Sequence, residues 1–266
     1  MADKKPLKKA RSKVPQKQGW RVFFSVLLML IWTGVSVILA QLLVGVVAIK
    51  FMGVDDFNKP AVQAVYTALA YIVAMLLAIW VPAYVEAKWD LKKSLKIPSR
   101  KLLGLRGLPT WTDVGLAPIG FVVALILAGV LVSIFGLFPW FDAEEAQNLG
   151  FSFYVAGIDK IVAFISLVVI APIAEEIIFR GWLYGKIRNK TSEAVSNKIS
   201  MILSSLLVSL LFGIVHLQWN VGVNVFTMSL VMCAMREVTG TIYAGILMHM
   251  IKNGVAFYLL YVLGIM

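Results

Sequence analysis

Long apolar runs separated by short polar stretches set the pattern of this chain. The first run, residues 22–49, carries no charge over 28 positions. That is long enough to cross a hydrocarbon layer of roughly 30 Å. It is too long for the core of a signal peptide and has no small-x-small cleavage site after it, so it reads as an uncleaved first span. Further runs cover about 60–85, 115–138, a fourth from Lys160 onward, 199–217, 221–235 and 241–263. The pattern predicts an all-α, polytopic transmembrane helix bundle of about seven spans.

The polar connections orient it. Lys and Arg number seven between Glu86 and Asp113, among them Lys92, Lys93 and Lys96. Five more accompany the end of the fourth run, and Arg236 follows the sixth. The alternate connections hold two, one and none; the first contains Asp55 and Asp56, and the second has Asp142, Glu144 and Glu145 before a segment FSFYVAG suited to the interface. By the positive-inside rule the N-terminus is cytoplasmic. Three parts follow: a basic tail over 1–21, an N-terminal transmembrane part over 22–159, and a C-terminal transmembrane domain over 160–266.

Composition agrees with a membrane protein: 60% of the 266 residues are hydrophobic. The net charge of +11 is uneven, with eight basic residues in the first 21. Such a tail reads as disordered and drawn to anionic lipid headgroups. Apart from Trp20 at its end, no aromatic residue interleaves with these charges, which argues against nucleic acid as a partner. Cys233 is the sole cysteine, so no intrachain disulfide forms, and it reads as a packing residue. No internal repeat is evident.

The informative residues are the few ionisable groups inside the spans. Glu175, Glu176 and Arg180 lie on the fourth, His216 on the fifth, and His249 with Lys252 on the seventh, where Asn253 is the neutral polar companion. A charge near the bilayer centre costs about 2.5–3.5 kcal/mol on insertion scales, so such groups need partners, water or a purpose. Glu176 and Arg180 are four apart and can pair along their helix, while Glu175 points about 100° away. His249 and Asn253 share a face, as do Phe212 and His216. If the fourth helix continues to about Asn189, Glu175 lies ~21 Å from that end, deep enough to meet the histidines.

Two chemistries fit this set. A carboxylate and a histidine can activate water, with Asn253 donating to the oxyanion of a tetrahedral intermediate. Alternatively Glu175, His216 and His249 can bind Zn²⁺ and leave a position for water. H-E-x-x-H is absent, and no Ser-Lys or G-x-S-x-G arrangement suggests a serine mechanism. Gly181 and Gly185 form a G-x-x-x-G suited to close packing.

Three motifs in order carry a resemblance: Glu175-Glu176-x-x-x-Arg180, Phe212-x-x-x-His216 and His249-x-x-x-Asn253. Together they resemble the signature of the CAAX protease and bacteriocin-processing family (CPBP, also called Abi), over about residues 160–263. The resemblance implies a multi-pass intramembrane endopeptidase of the bacterial plasma membrane acting on a membrane-associated peptide or protein. It implies Glu175 as the base with His216 as its partner, His249 and Asn253 at the substrate carbonyl or oxyanion, and Glu176 and Arg180 as support. It leaves open whether zinc or no cofactor is used. Two other classes stand beside the enzyme: a non-catalytic membrane regulator or bacteriocin-immunity protein that binds a partner, and a proton-coupled transporter.

Overall fold

A computed structural model describes residues 16–53, 59–89, 98–145 and 157–264. The expected basic tail up to residue 15, the Asp55–Asp56 connection, the Lys92, Lys93 and Lys96 stretch, and all of FSFYVAG but its last residue lie outside them. The described chain forms seven helices: α1 (Gln16–Met52), α2 (Pro60–Trp89), α3 (Trp111–Phe135), α4 (Gly157–Thr191), α5 (Asn197–Ile214), α6 (Trp219–Thr239) and α7 (Tyr243–Tyr261). The first six are long and apolar enough to cross a membrane. α7, at 19 residues, has the length, but His249, Lys252 and Asn253 lower its apolarity. The all-helical architecture expected from the apolar runs is observed, and the chain is a multi-pass membrane protein.

α4 is the hub, packing against α1, α2, α5, α6 and α7. Around it, α1 pairs with α2, α3 lies across α6 and α7, and α5 and α6 form a hairpin. Bulky apolar side chains of α1 and α3, such as Phe24, Ile31, Ile119 and Ile126, face outward. The face α3 turns inward is built from Ala117, Gly120, Ala124 and Ala128, and small residues let helices approach closely where lipid gives no hydrophobic drive. At Gly120 a Cβ would sit 2.9 Å from the Met235 Sδ of α6.

Two devices fix the elements that carry the site. In the α5–α6 hairpin, a Cβ at Gly213 would meet the Gly222 carbonyl oxygen at 2.9 Å, so only paired glycines permit this approach. The hairpin turn is consequently tight, and α5 ends at Ile214, leaving His216 in the turn and not within the fifth span as its apolar run suggested. At the other end of the bundle, the 98–107 segment packs onto α4. A Cβ at Gly185 would lie 2.7 Å from the Leu102 carbonyl oxygen, and one at Gly181 would lie 3.2 Å from that of Leu103. The G-x-x-x-G thus serves close packing against a connecting segment's backbone, not against another helix. Arg236 clamps the joint, donating to the carbonyls of Leu102 at 2.6 Å and Gly181 at 3.2 Å. Thr110 and Asp113 close a capping box at the start of α3, and Thr241 donates to Asp113 at 3.2 Å, tying α3 to the α6–α7 turn.

Candidate active site

α4 runs unbroken to Thr191, as convergence of the site required, but it is not a uniform α-helix. Two π-helical stretches, Ile165–Ile170 and Ile177–Leu183, flank the short α-helical stretch Ala171–Glu176 that holds both glutamates. In the first, the Ala171 amide donates to the Ser166 carbonyl, five residues back. In that register the next amide, at residue 172, would serve Leu167. Pro172 has no N–H, so the Leu167 carbonyl is released. Asn253 of α7 takes it, its Nδ2 donating at 2.8 Å. Because a carbonyl only accepts, this contact also assigns the Asn253 amide orientation and leaves one Nδ2–H without a partner among the described residues.

Glu176 is fully buried, and its Oε1 receives Arg180 Nη1 at 2.6 Å. The same oxygen meets His249 Nδ1 at 3.2 Å. On its other side, His249 Nε2 lies 3.6 Å from Oε2 of Glu175. His249 therefore bridges the two carboxylates. A carboxylate already engaged by Arg180 acts as an acceptor, so Nδ1 carries the proton and Nε2 turns its lone pair to Glu175 in the neutral ring. Close approach of α7 depends on Gly245, where a Cβ would stand 3.1 Å from Glu176 Oε2.

His216 enters from the α5–α6 turn. Its Nδ1 donates to the Phe212 carbonyl at 2.7 Å, which leaves Nε2 as the acceptor. It makes no hydrogen bond to a glutamate among the described residues, but it lies within electrostatic reach of Glu175, His249 and Lys252. Phe212 is the apolar pivot. Its ring sits edge-on to Phe179, His216 and His249, and the Arg180 guanidinium lies 4.2 Å from its centroid. A cation on a desolvated aromatic face gains about 2 kcal/mol or more.

Every residue singled out by the three motifs therefore lies on α4, the end of α5, the α5–α6 turn or α7, around His249 and Phe212. One member was not legible beforehand. The Tyr71 hydroxyl of α2 lies against Glu175, and nothing in the sequence distinguishes it from Tyr66 or Tyr84 on the same helix. The proline-released Leu167 carbonyl was equally hidden, since it depends on a π register. Cys233 is buried and packs, as its isolation suggested.

No three His, Cys, Asp or Glu groups among the described residues come together closely enough to hold a metal ion.

Comparison with known proteins agrees with the motif reading. A family model described as "Rce1-like: Type II CAAX prenyl endopeptidase Rce1-like" matches residues 157–255, the stretch from the start of α4 through Asn253 and just beyond. No curated protein and no solved structure matches the chain significantly.

Proposed function

We propose, on the premise that residues 157–255 are of the CAAX protease and bacteriocin-processing family, that this protein is an intramembrane endopeptidase hydrolysing a membrane-associated peptide or protein. The observation that carries the reading is the His249 bridge between Glu175 and the Glu176–Arg180 pair. A structural ion pair needs only Glu176 and Arg180. A second carboxylate, 7% exposed, bordered by the His249 ring and a tyrosine hydroxyl and within electrostatic reach of His216, is equipped to move protons.

In the proposed reaction Glu175 takes a proton from water held between it and His216 Nε2. The water oxygen bonds to the substrate carbonyl carbon, and the carbonyl becomes an oxyanion. The uncommitted Nδ2–H of Asn253 donates to that oxyanion, a contribution of about 10²–10³ in rate where such donors are removed. Collapse breaks the C–N bond, and the proton gained by Glu175 passes to the leaving amine, directly or through His249 Nε2. Glu176 and Arg180 act on His249, holding its Nδ1–H so that Nε2 stays available. Tyr71 steadies the Glu175 carboxylate from α2.

The family's described activity is on CAAX prenyl proteins; for this chain the substrate class is proposed only as membrane-associated peptide or protein, at the plasma membrane of a bacterium, with the basic tail on anionic lipid headgroups. The test compares membrane proteomes of cells carrying the native chain and Glu175→Ala. Uncut precursors accumulate in the variant while its folded amount in the membrane is unchanged. Equal processing by folded Glu175→Ala refutes the catalytic assignment.

A further inference from the structure

Lys252 is used by none of the steps above, yet it is a cation in the middle of an intramembrane helix. It lines a cavity of about 170 Å³ between α3, α6 and α7, together with Asn224 and apolar residues that include Phe121, Ala124 and Met228. The acidic group within its electrostatic reach is Glu175. Glu175 lies outside ion-pair distance, its own contact being with His249 Nε2. Asn224 donates its Nδ2 to the Asn220 carbonyl at 2.9 Å. No hydrogen bond joins the Lys252 ammonium, with its three donors, to an acceptor among the described residues, and the walls around it are largely hydrocarbon. The other intramembrane cation of the site, Arg180, is fully buried, with its Nη1 on Glu176 and its guanidinium over the Phe212 ring, whereas Lys252 faces a cavity.

A cation held in an apolar cavity selects an anionic group, because a charge-assisted hydrogen bond is strong where water does not compete. The position of the cavity says where on a substrate that anion sits. Lys252 adjoins Asn253 in sequence, and neighbouring helical residues point about 100° apart. A carbonyl placed at Asn253 therefore has its own near neighbours, not distant residues, beside Lys252.

We propose that this cavity is a substrate subsite that binds a carboxylate on Lys252, so that the protein cuts close to an acidic group: a chain terminus or an Asp or Glu side chain. The proposal rests on the protease reading and names a substrate feature for it. Phe121, Ala124 and Met228 accept the apolar body that carries the carboxylate, and Lys252 pairs with its charge.

The test uses the full chain in nanodiscs as Glu175→Ala, so that nothing turns over. The probes are one fluorescent apolar nonapeptide made as the C-terminal acid, as the C-terminal amide, and as the amide with one Asp near its C-terminus. The acid, the Asp-containing amide or both bind about tenfold or more tighter than the plain amide, the scale of one hydrogen bond to a charged group. Which form gains identifies the source of the carboxylate. Adding Lys252→Met removes the gain while thermal unfolding stays in place, and Lys252→Arg retains it. Equal binding of all three forms overturns the proposal, as does a preference that survives Lys252→Met. The two readings fail separately. Loss of the acid preference alongside Glu175-dependent cleavage removes the subsite only, and an acid preference without Glu175-dependent cleavage removes the protease only.

Discussion

Pro172→Ala separates the stability of α4 from the performance of its site. The substitution supplies an amide hydrogen at 172 within reach of the Leu167 carbonyl, which Asn253 Nδ2 occupies at 2.8 Å. In the native chain, Asn253→Ala leaves that buried carbonyl unpaired, a cost of about 1–3 kcal/mol. With an N–H at 172 the carbonyl stays satisfied, so the same Asn253→Ala change loses only ordinary packing. The two changes are therefore coupled by about 1–2 kcal/mol, well above the few tenths expected of independent sites. At roughly 2–4 °C per kcal/mol for a chain of this size, the coupling is a thermal shift of several degrees. The assay is a double-mutant cycle by thermal unfolding of the four purified proteins in one detergent, which requires no substrate. Pro172→Ala alone keeps or raises stability, since proline inside a helix costs about 3 kcal/mol relative to Ala. It lowers turnover, because Asn253 loses the contact that aims its second N–H. If Asn253→Ala costs the same in both backgrounds, the Leu167 carbonyl is not the shared partner and the reasoning fails.

Other outcomes follow from the same geometry. Glu176→Gln keeps the shape beside Arg180 and His249 but removes the charge that fixes the ring; kcat falls by about 10²–10⁴, the scale of proton-transfer catalysis, with KM nearly unchanged. A folded Glu176→Gln protein with full turnover would show that the pair is only a brace. Tyr71→Phe lowers kcat without loss of folded protein, read by turnover in proteoliposomes; an unchanged rate removes Tyr71 from the site. Gly185→Ala puts a Cβ 2.7 Å from the Leu102 carbonyl oxygen and lowers the melting temperature, overpacking being worth about 1–3 kcal/mol. Gly129→Ala, with open space around the new Cβ, raises the melting temperature, helix propensity contributing up to about 1 kcal/mol of stability.

Much of the fold was legible because membrane insertion is governed by run length and charge, both of which are local in sequence. Boundaries were less so. His216 reads as part of the apolar run at 199–217, but the Gly213–Gly222 contact forces the chain to turn earlier. The site was half legible. Helical spacing paired Glu176 with Arg180 and His249 with Asn253, and those pairings needed no partner helix to be seen.

What spacing could not say is what these pairs meet. Residue types and periodicity determined that two carboxylates, a histidine and an asparagine lie within apolar helices and a second histidine at the end of one, with Glu175 aimed off the Glu176–Arg180 pair. Only the tertiary structure decided that His249 touches both glutamates, that Asn253 fills a bond proline leaves open, and that Tyr71 lies against Glu175 with Lys252 in its electrostatic reach. The reason is physical. A helix sets the angles among its own side chains, but the rotation and depth of one helix against another come from close packing at positions such as Gly245, Gly185 and Gly213, spread along the whole chain.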